Sequence, residues 1–149
     1  MRIEQTQRRH DIGEIVKAGK YDELTRFGII IIETGATYDC GHYILQQLGV
    51  PATDETIATL QSLTGQGNPQ PGIALYRETG RQKSPVHFGR YDSYRVISKW
   101  NRTGPLLEHS IEDVPPWYGE IVEFRKTDTT TPLLWDVQQM QLFGVDKGY

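Results

Sequence analysis

The chain has a single cysteine, Cys40, in 149 residues, so no internal disulfide can staple it. The fold must rest on its own apolar core, and the length is enough to bury one as a single domain. A lone thiol also fits a reducing compartment. No apolar run approaches the roughly 18 residues needed to cross a bilayer, so no membrane partner is expected. No apolar signal core follows Met1-Arg2, which points to a cytoplasmic protein or one exported without a classical signal. Positive charge is not in excess either. Sixteen Lys and Arg against nineteen Asp and Glu leave a net charge of −3, and nucleic acid is not an expected partner. Internal repeats, low-complexity tracts and long charge blocks are absent.

Residues 1–27 read as mostly helical, because Ile12, Ile15 and Val16 recur at helical spacing, with Asp11 and Glu14 as a capping box and Gly19 as the stop. Gly28-Ile29-Ile30-Ile31-Ile32 is β-branched and uniformly apolar, which predicts a buried segment, extended, with a helix as the alternative. Asp39 is a good N-cap for a helix to about Leu48, with Gly49 past its end and Pro51 preventing continuation. Cys40, Tyr43, Ile44 and Leu48 then share a face. A second helix from Thr53 or Asp54 buries Ile57, Leu60 and Leu63 and stops at Gly65.

The turn formers of Gly65 to Gly72 mark a change to extended pattern. Strands are predicted at Ile73 to Arg77, Pro85 to Tyr91, Arg95 to Trp100 and Glu120 to Arg125, with a hairpin turning at Asp92-Ser93. Two helices followed by four strands is an α+β order. Glu112 and Asp113 read as first-turn acids of a short helical segment, and Arg77, Arg81 and Lys83 as a solvated surface. Trp100, Trp117 and Tyr118 either line a cleft or cover core edges. Leu133 to Phe143 has too little periodicity to assign.

The chemistry gathers at Tyr38-Asp39-Cys40-Gly41-His42. A thiol on the first turn of a helix feels the positive end of the helix dipole and free backbone N–H groups, which favour the thiolate and could hold an oxyanion. The competing reading is a small packing residue. A thiol nucleophile needs a base. Among His10, His42, His87 and His109, His42 points away from a sulfur two residues earlier on the same helix and reads as a rim residue. His87 shares a strand face with Gly89 and Tyr91, and Gly89 leaves room beside the imidazole that the helix start carrying Cys40 could fill. A zinc site from Cys40, His42, His87 and His109 is a remote alternative, since no spacing matches a zinc signature. No cofactor is expected.

At this pairing the sequence resembles the NlpC/P60 cysteine hydrolases. Asp39-Cys40-Gly41-His42-Tyr43 is similar to their Asp-Cys-Ser-Gly-Phe helix start, Pro71-Gly72-Ile73-Ala74-Leu75-Tyr76 to their Pro-Gly-Asp-Leu strand, and His87-Phe88-Gly89-Arg90-Tyr91 to their His-Val-Gly-Ile-Tyr, in family order over about residues 36–100. Residues 96–119 also look similar to an uncharacterised bacterial branch of the fold. The resemblance implies one papain-like α+β domain over 1–149, a Cys-bearing helix packed on an antiparallel sheet. Residues 1–35 would form a helical extension and buried strand, 36–126 the catalytic-type core and 127–149 a C-terminal extension. It implies a thiol amidase or peptidase with Cys40 as nucleophile and His87 as base, commonly acting on peptidoglycan peptides, as would suit a phage enzyme or an effector toxin.

Gly41 stands where the family has Ser, and Ile73 where it has Asp. The residue that orients the base imidazole aligns with Ser98 or Lys99, with Glu108 or His109 as substitutes. The alternative is a catalytically silent papain-like module that binds a peptide or a protein partner such as an inhibitor. A lecithin:retinol acyltransferase-like reading, suggested by Cys40-Gly41-His42, stands beside these, with the order against it, because in that branch the base precedes the cysteine.

Overall fold

A computed structural model describes residues 3–80 and 84–143. Two of the residues read above as solvated surface, Arg81 and Lys83, lie outside the described residues. Helix α1 (Ile3–Lys17) and a 3-10 segment (Tyr21–Phe27) lead to strand β1 (Ile30–Glu33). Helices α2 (Cys40–Leu48) and α3 (Asp54–Leu60) follow, then β2 (Gly72–Arg77), β3 (His87–Asp92), β4 (Arg95–Lys99) and β5 (Leu106–Ser110). A 3-10 turn (Pro116–Tyr118), β6 (Ile121–Arg125) and α4 (Thr127–Phe143) complete the described chain. The strands form one sheet in the order β1-β5-β4-β3-β2-β6, antiparallel at every pairing. The α+β class is as expected.

Side-chain alternation splits the core across the sheet. Along β2, Ala74 and Tyr76 face one side and Ile73 and Leu75 the other. On the first side they meet Ile12, Ile15 and Val16 of α1, with Tyr91, Trp100 and Phe124. On the second, Tyr43, Ile44 and Leu45 of α2 and Leu60 of α3 pack on Phe88 and Leu106, and Leu134 of α4 closes the layer. The helix that begins at Cys40 therefore lies on β3 and β4.

Several sequence expectations change. Asp11 lies inside α1, where it accepts a bond from Gln7 at 2.9 Å, so Asp11 and Glu14 form no capping box. The isoleucine run is an edge strand. Ile29 is 1 % exposed, but Ile30 and Ile32 are 53 % and 48 % exposed, because β1 pairs with β5 alone. Arg77 is half-buried and paired with Glu123 at 2.9 Å. Asp113 belongs to a turn and holds Arg8 through two bonds of 2.7 and 3.0 Å. The hairpin turns at Ser93-Tyr94, both at positive φ, one residue later than expected.

Two elements were not foreseen. Strand β5 has only Leu106 and Leu107 as apolar signal before Glu108, His109 and Ser110, and it exists because β1 and β4 pair with its two edges. In α4 the Thr-rich start and Pro132 oppose helix propensity. Burial of Leu134 and Thr130, packing on α3, and a 2.7 Å bond from Arg125 to Thr130 outweigh them. Among the described residues no helix is long and apolar enough to cross a membrane.

Gly119 joins the 3-10 turn to β6 at φ +91°, and a Cβ there would collide with the Arg77 carbonyl. Gly119→Ala is expected to cost about 2–4 kcal/mol in urea unfolding, from strain and displaced backbone together. A loss below about 1 kcal/mol would show that the passage relaxes freely.

Candidate functional site

Asp39 has extended backbone (φ −93°, ψ −177°) and ends α2 as its N-cap. Its carboxylate accepts from the His42 backbone N–H at 2.9 Å and meets His42 Nδ1 at 2.7 Å. Partial burial opposes ionisation of Asp39, but the His42 bonds prevail and hold its carboxyl below the usual range. His42 is half-exposed, the rim residue its position implied. Gly49, at φ 71°, closes the far end of the helix.

Cys40 is thus the first residue of a capped helix, half-buried at the sheet. Burial pushes its thiol up to about 11; the Phe88 backbone N–H pulls the other way, and the Asp39 charge adds to the rise. Beside it lies a cleft of about 430 Å³ whose walls include Asp39, Ile57, Leu60, Val86 and Phe88.

His87 opens β3 directly opposite Tyr76 of β2. Its imidazole stacks on Tyr118 at 3.8 Å and 8°, and tilts against Tyr76 at 5.4 Å. Burial, then the neighbouring charge of His109, holds its pKa far below the ordinary range, so the ring is neutral. Its Nε2 finds no hydrogen-bond partner among the described residues. Among the described residues no hydrogen bond joins it to Cys40, although the next residue, Phe88, packs in the cluster that Cys40 borders. The space beside Gly89 is filled by Val96 and Ser98 of β4, not by the start of α2. The alternation holds, but the face that carries His87 and Gly89 has β4 beside it and not α2. Phe88 is the β3 residue that packs with α2, which turns His87 and Gly89 toward the α1 side.

Ser98 shares that side with His87 but is committed elsewhere. The His109 Nδ1–H donates to the Ser110 carbonyl at 2.7 Å, so Nε2 accepts from the Ser98 hydroxyl at 2.7 Å. Ser98 in turn accepts the Trp100 indole N–H at 3.0 Å. Every polar atom of this buried chain is satisfied, and His109 is held neutral at about 4, chiefly by burial. The chain gives Trp100 a polar anchor. It leaves Ser98 no bond to His87, and Glu108 pairs with Arg95 at 3.4 Å.

Lys99 lies on the side of α2. It is 1 % exposed, and its ammonium donates to the carbonyls of Asn101 and Arg102 at 2.9 and 2.7 Å and sits 5.3 Å from the centre of the Tyr38 ring. Arg102 reaches back to the Thr37 carbonyl at 3.1 Å. Together they tie the turn after β4 to the segment that delivers Cys40. Strand alignment could place Lys99 near the site but could not show which carbonyls it would hold.

Among the described residues no three His, Cys, Asp or Glu side chains gather closely enough to hold a metal ion. No family model matches this chain, and no curated protein and no solved structure matches it significantly. What can be said of function therefore comes from the residues themselves.

Proposed function

We propose that the protein is a papain-like thiol hydrolase that cleaves an amide, with Cys40 as nucleophile and His87 as the group that carries the proton. The observation that supports this most is a juxtaposition. A thiol at a capped helix start packs in one cluster with Phe88, and the residue before Phe88 is a neutral imidazole with an unpartnered buried nitrogen. A buried nitrogen left unsatisfied costs about 1–3 kcal/mol, which a purely structural ring has no reason to retain.

In this reading the Cys40 sulfur attacks the substrate carbonyl carbon while its proton passes to His87. The Cys40 N–H helps bind the oxyanion, and the amine leaves with the proton from His87. Water then attacks the thioester, releasing the acid and restoring the thiol. His87 faces the α1 side of the sheet and Cys40 the α2 side, so this transfer requires the start of β3 to turn over as well as the ring to leave its stack on Tyr118. Peptidoglycan peptides are the substrate class suggested by the motif resemblance.

A second reading, a silent module that binds a peptide or protein partner, is favoured by the resting thiol near 11 and by the commitment of Ser98 to His109. Soluble peptidoglycan fragments and a panel of N-acyl dipeptide amides, followed by mass spectrometry for new amines, separate the two. Hydrolysis is expected in the wild type and should fall by about 10³-fold or more in both Cys40→Ala and His87→Ala. Turnover that survives Cys40→Ala would overturn the nucleophile assignment. Binding without any turnover would leave the module reading in its place.

A further inference from the structure

We infer that the cleft beside Cys40 is a specificity pocket that receives an uncharged apolar side chain flanking the amide to be cleaved, and that Gly41 keeps it apolar. The inference names a substrate class for the proposed hydrolase and rests on that reading for its catalytic meaning, but the preference of the pocket is measurable as binding alone. The cleft holds about 430 Å³, within the range of small-molecule pockets and far too small for a folded partner. Its floor is the core itself. Leu60 of α3 and Phe88 of β3 are buried members of the cluster on this side of the sheet, and Ile57 packs against that cluster. Ile57 and Leu60 stand one turn apart on α3 and so share a face. Val86, 44 % exposed, forms the rim two residues before Phe88.

Gly41 lets the α3 side chains come up to the thiol. A Cβ at this position would meet Ile57 Cδ1 at 3.4 Å and Leu60 Cδ1 at 3.7 Å. Those are ordinary contact distances, so a side chain would be tolerated there, but it would stand against the two methyl groups that wall the cleft. Serine, the residue of the motif from which Gly41 departs, would put a hydroxyl among them. Charge points the same way. Asp39 is the one carboxylate among the described lining residues, and it is already engaged by the His42 N–H at 2.9 Å and Nδ1 at 2.7 Å. No lysine, arginine or histidine is among those residues. An acidic side chain would give up its hydration without gaining a partner, and a basic one would find a carboxylate already bonded. An apolar side chain leaves water and covers the exposed carbon of Ile57 and Val86 at once.

The test is binding to the Cys40→Ser protein of the N-acetyl N-methylamides of leucine, alanine, glutamate and lysine, followed through the side-chain methyl resonances. The leucine compound is expected to bind about 10-fold or more tighter than the glutamate and lysine compounds, with alanine between, and to shift the methyls of Ile57, Leu60 and Val86. Val86→Lys, at an exposed position, and Gly41→Ser should each weaken the leucine compound by about 3-fold or more without moving the urea midpoint downward. Equal binding of leucine and glutamate compounds, no saturable binding of the leucine compound, or shifts confined to other methyls would overturn the inference. Should Val86→Lys fail to fold, Gly41→Ser decides, and undiminished leucine binding in it removes the role given to Gly41. Apolar preference without any Cys40-dependent hydrolysis by the wild type would leave the pocket and sink the hydrolase reading. Hydrolysis indifferent to the side chain would do the reverse.

Discussion

Replacing Arg9 with methionine is expected to destabilise the protein by about 3–5 kcal/mol, the largest effect of any single polar substitution considered. Arg9 is 4 % exposed on α1, and its guanidinium donates to the carbonyls of Val114 at 3.1 Å, Pro115 at 3.2 Å and Gly119 at 2.6 Å. These carbonyls belong to an irregular passage whose two prolines have no N–H to offer a strand. Arg9 supplies the bonds that a sheet would otherwise give. Burial lowers its pKa, with the charges of Glu120 and Tyr76 partly compensating. Methionine would keep most of the buried stem and strand the carbonyls. Because the passage carries Tyr118, near-UV circular dichroism should lose intensity as urea stability falls. A loss below about 1 kcal/mol would mean that water replaces the guanidinium cheaply, and that Tyr118 is placed by packing alone.

The second large effect is acid instability. His87 and His109 are buried neutral, both with pKa values depressed in the folded state, His109 to about 4. In the unfolded chain both take up a proton near pH 6.5. The unfolded state therefore binds more protons below that pH, so stability is full above about 6.5 and is lost as pH falls toward 4. Each histidine contributes a slope of about 1.4 kcal/mol per pH unit, so the pair should remove roughly 2.7 kcal/mol per unit across most of this window. Asp113 and Arg95 act on His109 with opposite signs and do not change the direction. Urea midpoints at pH 7, 6 and 5 would read the slope before most carboxylates titrate.

His87→Phe keeps the stack on Tyr118 and removes the unpartnered nitrogen. It should halve the acid slope and raise stability at pH 5, while abolishing any hydrolysis that uses the ring. A stabilised variant without activity is the pattern of a group retained for chemistry at the expense of stability. An unchanged slope would show that His87 is already protonated or solvated near neutral pH.

The elements that were legible are those whose signals are local. Asp39 as cap, Gly49 as stop and the spacing of Tyr43 and Ile44 determine α2 and the place of Cys40 on its first turn, because capping and amphipathic period act within a few residues. The Thr53 capping box does the same for α3, and the alternation of β2, β3 and β4 follows from the pleat. Legibility ended where partners are distant in the chain. The Ile29–Ile32 run reads as buried by composition, yet its exposure is decided by the sheet order, which leaves β1 at an edge.

The same limit governs the site. The sequence by itself determined that one thiol begins a capped helix and that His87, Gly89 and Tyr91 share a strand face. It could not say which face meets α2, since a period of two specifies alternation and not its sign relative to another element. Tertiary packing chose Phe88 for the helix side. That choice placed His87 against Tyr118, bound Ser98 into the chain from Trp100 to His109, and set Lys99 against Tyr38 on the side of α2. Cys40, its cap and its helix are thus properties of adjacent residues, whereas the charges and rings that surround it depend on burial and strand register, which only the assembled sheet decides.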